Sequence, residues 1–178
     1  MRLLRKATHP DVLKLQSSDI KQFTRKATRA IVLKQEKILM LYTKRYDDYT
    51  LPGGGIDEGE TIVQGFKREL KEETGAQNIK DIQEFGIYEE FRPWYKGEHN
   101  VMHMISYCYL CSIDEEFTAT QYEDYETRNG MEPVWINLYD AIKHNQETIA
   151  RSNKKGLSIE RETFLLEKIA QELVCQPA

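Results

Sequence analysis

From Ala27 the pattern of apolar and polar positions is strand-like. ATRAIVLK and KILMLYTKR are β-prone runs, and the polar Gln35-Glu36 pair between them predicts a hairpin. A Pro/Gly break follows in YTLPGGGIDEGE, through which no helix or central strand can continue. Residues 61–74 then take a helical period, with Thr61 as N-cap, Gln64 completing a capping box and Gly75 at the C-cap. Strands are predicted at about 82–92 and 101–113; the second, VMHMISYCYLCSI, is apolar on both alternations and belongs inside a sheet. An acidic loop from Asp114 to Glu126 leads to a last strand, MEPVWI. Helices at about 138–146 and 158–174 close the chain, the latter placing Leu166, Ile169, Ala170 and Leu173 at three-four spacing. The first twenty or so residues are the least patterned: Val12, Leu13, Leu15 and Ile20 give a ragged apolar face compatible with an extra helix. Strands mixed with a few helices predict an α/β or α+β sandwich, with residues 1–24 an extension packed on a single domain over 25–178.

Composition narrows the partners. With 25 Lys+Arg against 29 Asp+Glu, the net charge of −4 argues against a nucleic-acid polymer or an anionic membrane and leaves a small anionic ligand open. No run approaches the ~20 apolar residues of a membrane span. The basic start lacks an apolar signal-peptide centre, and Asp11 and Asp19 count against a transit peptide. Three cysteines, Cys108, Cys111 and Cys175, are too few for a disulfide framework, so a cytoplasmic location is expected. Cys108 and Cys111 fall on opposite faces of a strand, as core thiols rather than a metal pair.

The helix over 61–74 carries the chemistry. On a wheel with Ile62 at zero, Phe66, Leu70 and Val63 fall at roughly 40°, 80° and 100°, the core-facing stripe, while Glu73, Glu69 and Glu72 fall at roughly 20°, 340° and 280°. Like charges at i, i+3 and i+4 repel, and Glu72 and Glu73 lie near the helix C-terminus, which disfavours anions. A cation is expected there. Magnesium or manganese suits hard carboxylate oxygens and leaves positions for substrate phosphate; the alternative is a solvated helix using Lys67, Lys71 and Arg68 as partners. Gly65, between Glu72 and Glu69 on the wheel, leaves that side uncrowded.

Gly54, five residues, Glu60, seven residues and then Arg68-Glu69-Leu70-Lys71-Glu72-Glu73-Thr74-Gly75 resemble the signature of the Nudix hydrolase family, with Leu51-Pro52-Gly53-Gly54 as its common approach. Ala76 departs from the larger aliphatic residue usual there, a matter of packing beyond the helix. The resemblance implies an α/β/α sandwich with a mixed central sheet and metal-dependent hydrolysis of a nucleoside diphosphate linked to another moiety. It implies that Glu69, Glu72 and Glu73 hold Mg2+ or Mn2+ with the Gly54 carbonyl, and that Arg68 orients the carboxylates together with Glu60. Glu69 is the first candidate for the base; in some family members it comes instead from a later-loop glutamate, for which Glu116, Glu123 and Glu126 are available.

GGGIDEG is neither a P-loop nor a GxGxxG turn, since no Gly-Lys-Ser/Thr follows and Glu58 stands where the third glycine should be. Tyr49 stands where many family members carry an aromatic against the base; a packed strand-end tyrosine is the alternative. Arg45 is a further substrate candidate. Arg92, Trp94, Tyr95 and Lys96 offer stacking surface and positive charge to a substrate, or a homodimer contact. His99 and His103 would share a strand face but lack a third ligand. Pro93 and Tyr95 stand near the position where the family separates ADP-ribose from dinucleoside polyphosphates, with a lean to ADP-ribose or another nucleotide sugar. Outside this reading stand a hydrolase of nucleoside triphosphates or dinucleoside polyphosphates, a non-catalytic nucleotide sensor and an isomerase-like relative.

Overall fold

The start of the chain forms a strand rather than a ragged helix. In the computed structural model, which describes residues 1–114, 117–153 and 156–174, β1 (Leu3–Thr8) is followed by one helical turn, α1 (Pro10–Leu13). Pro10 opens that turn and Lys14 ends it, too short to bury the expected apolar face; Val12 alone is buried.

The predicted hairpin also divides. Both faces of β2 (Gln22–Ile31) are buried from Ala27 onward, so it needs cover on two sides. Only β3 (Leu33–Lys34) turns back on β4 (Lys37–Thr43), through Leu33↔Ile38 and Lys34↔Lys37. The short β5 (Asp48–Thr50) follows, then α2 (Ile62–Thr74), β6 (Lys80–Pro93) and β7 (Val101–Ser112). Beyond them come α3 (Asp124–Asn129), β8 (Met131–Asn137), α4 (Leu138–Arg151) and α5 (Ile159–Ile169), the last ending in a π-type turn over Ala170–Val174.

One four-stranded sheet runs β1-β6-β7-β2 and is mixed: β1 is parallel to β6, β6 antiparallel to β7, and β7 parallel to β2. In the other, β4 pairs antiparallel with β3, β5 and β8. Alternation along β2 and β4 divides the core. Ala30, Val32 and Leu39 meet Phe66 and Leu70 of α2, while Ile31, Ile38 and Met40 meet Leu138 and Ala141 of α4 and Leu166 and Ile169 of α5. Helices thus cover the sheets on both sides, as an α/β/α sandwich requires. Cys108 and Cys111 are free, buried and in the two different core clusters, and burial raises both thiols to about 12. Cys175 lies outside the described residues.

Candidate active site

The acidic helix α2 begins and ends where the sequence indicated. Thr61 and Gln64 form the reciprocal capping box, and Gly75, with φ 75°, donates its N–H to Lys71. Phe66 and Leu70 are buried, and burying a side chain of that size contributes about 2 kcal/mol. Val63, expected on the same stripe, is 38 % exposed, because the covered face is narrower than the wheel suggested. Glu73 is buried beside that face, at 5 % exposure. Gly65 is crowded rather than open: a Cβ there would lie 2.6 Å from Ile56 Cδ1 and 3.0 Å from Glu60 Oε2. Its missing side chain lets the Ile56–Glu60 turn close on the helix and delivers Glu60 to Arg68.

Arg68 is the hub of the cluster. Its Nε donates to Glu60 at 2.8 Å, and its other nitrogens reach Glu60 and the Gly55 carbonyl, both at 3.0 Å, Glu69 at 2.9 Å and Glu72 at 3.1 Å. Asp57 stands 3.4 Å away. These hydrogen bonds, that to Glu60 foremost, hold Arg68 charged and draw Glu60 down to about 2. Lys67 and Lys71 take no part in these contacts.

The loop facing α2 lies along β2 like an extra strand. Ala30 N–H donates to Pro52 at 2.7 Å, Thr28 N–H to Gly54 at 2.9 Å, and Ile56 N–H to Lys26 at 3.1 Å. The Gly54 carbonyl therefore already accepts one hydrogen bond and offers a divalent ion only its second lone pair. Gly53, with φ 138°, has no room for a side chain: a Cβ would lie 2.1 Å from the Thr28 carbonyl oxygen. Gly53 N–H donates to Glu73 at 2.5 Å, and a Cβ on Gly54 would lie 2.5 Å from Glu69 Oε2. Loop and helix carboxylates are thus in direct contact.

Glu126 joins the cluster from α3. Glu123 N–H donates to its carboxylate at 2.8 Å and Tyr125 O–H at 2.9 Å, leaving Glu126 5 % exposed. The loop read as acidic surface therefore contains one buried acid; Glu123 serves as its helix cap, and Glu116 lies outside the described residues. Burial pushes Glu73 up to about 8, with the Glu69 and Glu126 charges adding to the rise and the Gly53 N–H and Arg29 opposing it. Burial likewise raises Glu69 and Glu126, and the Glu72 charge adds to both. Four carboxylates are thus gathered where protein cations neutralise only part of their charge.

No three His, Cys, Asp or Glu side chains are closed into a ready ligand set among the described residues. The donor chemistry nevertheless suits a hard divalent ion: carboxylate oxygens of Glu69, Glu72, Glu73 and Glu126, with charge that Arg68 alone does not balance.

The expected substrate residues divide into two groups. Arg92 and Trp94 line a groove of about 330 Å³ with Tyr46, Tyr95, Lys96 and Leu157. Trp94 is steadied edge-on against Phe23 at 5.2 Å, and Lys96 lies over its ring at 5.8 Å. Burial lowers Arg92 to about 10, and the charge of Glu90, 3.7 Å away, opposes the shift. Tyr49 packs with Tyr42 and His144, at centroid distances of 5.1 and 5.0 Å. Arg45 bonds Asn129 at the end of α3, at 3.2 Å. Neither lines the groove. His99 and His103 do not converge, since His99 lies before β7 against Phe23 while His103 stacks on Phe91.

The family model described as the NUDIX domain matches residues 23–157. The chain belongs to the Nudix family. A nucleoside triphosphatase NudI of Salmonella paratyphi B is 28 % identical over 107 residues, covering 57 % of this chain and 74 % of that protein. An RNA pyrophosphohydrolase of Bartonella henselae is 50 % identical over 42 residues, only 24 % of either chain. Among solved structures, a MutT Nudix hydrolase of Burkholderia pseudomallei matches with a TM-score of 0.52 at 17 % identity, over 79 % of this chain and 96 % of that one. A Nudix hydrolase of Nitrosomonas europaea gives 0.52 at 16 % identity, over 88 % and 98 %. These two similarities establish the shared fold. This Nudix chain is a pyrophosphohydrolase acting on phosphoanhydride bonds, an activity for which Nudix hydrolases generally use divalent metals.

Proposed function

We propose that this chain is a Mg2+-dependent hydrolase of a nucleoside diphosphate joined to a second moiety, of ADP-ribose or nucleotide-sugar type, working in the cytoplasm. The observation that carries the reading is the partly uncompensated cluster of Glu69, Glu72, Glu73 and Glu126 against the Gly53-Gly54 loop. Glu69, Glu72 and Glu73 with the Gly54 carbonyl would hold Mg2+, with Mn2+ as a substitute. A divalent ion held there would supply positive charge to the phosphate oxygens and lower the pKa of a water beside them.

The protein's own residues supply the rest. Arg68 fixes Glu69 and Glu72 in one orientation through a single planar guanidinium. Glu126 is favoured over Glu69 to take the proton from water. Arg68 holds Glu69 in a charged hydrogen bond, whereas Glu126 receives the neutral Glu123 N–H and Tyr125 O–H donors. Trp94 and Tyr95 offer ring faces to a nucleobase, and Lys96 and Arg92 positive charge to the remaining phosphate. Buried, free Cys108 and Cys111 suit a reducing compartment.

A panel of ADP-ribose, NADH, dinucleoside polyphosphates and nucleoside triphosphates, incubated with Mg2+ and resolved by product mass, tests the substrate class. The expected outcome is highest kcat/KM for ADP-ribose or a nucleotide sugar, cleaved between the two phosphates. Preference for nucleoside triphosphates would overturn the substrate reading, and nucleotide binding without turnover would overturn the enzymatic one.

A further inference from the structure

A charged chain runs through the core behind the acidic cluster. Helix α5 carries Arg161 and Glu162, at 3 % and 0 % exposure. Arg161 donates to Glu90 on one side and to Glu162 Oε1 on the other, at 2.9 and 2.7 Å. Glu162 Oε1 lies 3.4 Å from Arg29 Nε, and its Oε2 accepts Leu51 N–H at 2.9 Å. Arg29, 8 % exposed, donates one nitrogen to the Thr28 and Gly53 carbonyls, at 2.7 and 2.8 Å. Gly53 in turn donates its N–H to Glu73.

Glu90 and Glu162 offset Arg29 and Arg161, with Arg92 3.7 Å beyond Glu90 as a further base, yet a buried tetrad of this kind commonly adds less stability than apolar packing of the same volume. What it provides here is position. The Leu51–Gly54 segment is held by β2 on one edge and by Glu73 on another. Its outward-turned Leu51 N–H and Gly53 C=O are the groups that Glu162 and Arg29 take.

We propose that Arg29 and Glu162 are positioning residues for catalysis, which through Leu51 and Gly53 set where Glu73 and the Gly54 carbonyl stand, while Glu90 and Arg161 only complete the tetrad. The proposal rests on the divalent-ion reading of the acidic cluster. It makes α5, over a hundred residues further along the chain, part of the apparatus that shapes the site.

Two charge-neutral double variants separate positioning from general structure. The inner one combines Arg29→Met with Glu162→Gln, and the outer one Glu90→Gln with Arg161→Met. Mn2+ affinity of the substrate-free protein is measured by electron paramagnetic resonance, and amide exchange at Leu51 and Gly53 in metal-free protein. The inner variant is expected to weaken Mn2+ binding at least tenfold and to speed exchange at Gly53, while the outer variant stays within twofold of the parent on both. Equal losses in the two, or an inner variant that matches the parent, would overturn the proposal. Should the inner variant not fold, Arg29→Lys, which keeps the charge but loses the planar fork, is judged by the same two measurements. Parent protein that binds no Mn2+ would overturn the divalent-ion reading itself, an outcome distinct from failure of the inner–outer contrast.

Discussion

Replacing Glu73 by Gln removes the most strongly perturbed acid of the cluster while leaving an oxygen for the Gly53 N–H to donate to. In the metal-free native protein, burial raises this carboxyl from 4.5 to about 8, whereas in the unfolded chain it titrates near 4.5. Below pH 4.5 both states hold the proton and the group has no effect on the pH slope. Between pH 4.5 and 8 the native state keeps a proton that the unfolded state has lost, so stability falls as pH rises. At 1.36 kcal/mol per pH unit the whole interval amounts to about 5 kcal/mol, a large part of the roughly 5–15 kcal/mol that holds a domain folded. Glu69, Glu126 and Asp48, which is raised to about 7, act in the same direction and are present in both proteins. Urea unfolding in EDTA from pH 5 to 8 should therefore show wild type losing about 4 kcal/mol relative to Glu73→Gln. Millimolar Mg2+ should restore more stability to wild type at pH 8 than at pH 5, because the ion binds the ionised form. Parallel pH profiles for the two proteins would refute the claim that Glu73 is buried against uncompensated charge.

Other consequences are equally direct. Gly53→Ala should cost more than about 3 kcal/mol in urea unfolding, because its Cβ meets the Thr28 carbonyl, whereas Gly59→Ala, with φ 85° and nothing within 4 Å, should cost only about 1–2 kcal/mol of backbone strain. Arg68→Met releases Glu60, Glu69 and Glu72 together and should lower kcat/KM by about a hundredfold in steady-state assays. Trp94→Ala should raise KM about tenfold with little change in kcat, the loss of one base-stacking surface.

Helix α2 and its loop were readable in the sequence because their signals are local: a capping box, a C-cap glycine and three like charges that only a cation reconciles. Glu126 was not readable as a buried acid. The stretch around it has no apolar period, and its burial comes from Tyr125 and the Glu123 backbone. Arg29 and Glu162 were missed for a related reason. A charged residue in an apolar strand or helix reads as an outward position, and only the packing of α5 against β2 brings these two within reach of each other. The only available signal was Arg29 itself, standing in the otherwise apolar run from Ala27 to Val32 with Thr28. Strand β1 owes its conformation to pairing with β6, some eighty residues away, so its own pattern could not distinguish strand from helix. The hairpin through Gln35-Glu36 forms, but only between β3 and β4, because Ala27–Ile31 is buried on both faces and pairs with β7 in the other sheet.

The most direct test is a Mg2+ titration of wild type, Glu72→Gln and Glu73→Gln, following cleavage of ADP-ribose by product mass. Wild type should release AMP and ribose 5-phosphate only when Mg2+ is present, and both variants should lose at least about a thousandfold in kcat/KM while remaining folded, about 4 kcal/mol of lost transition-state stabilisation. Undiminished turnover in both variants, or turnover by wild type that persists in EDTA, would contradict the assignment of these carboxylates to a divalent ion.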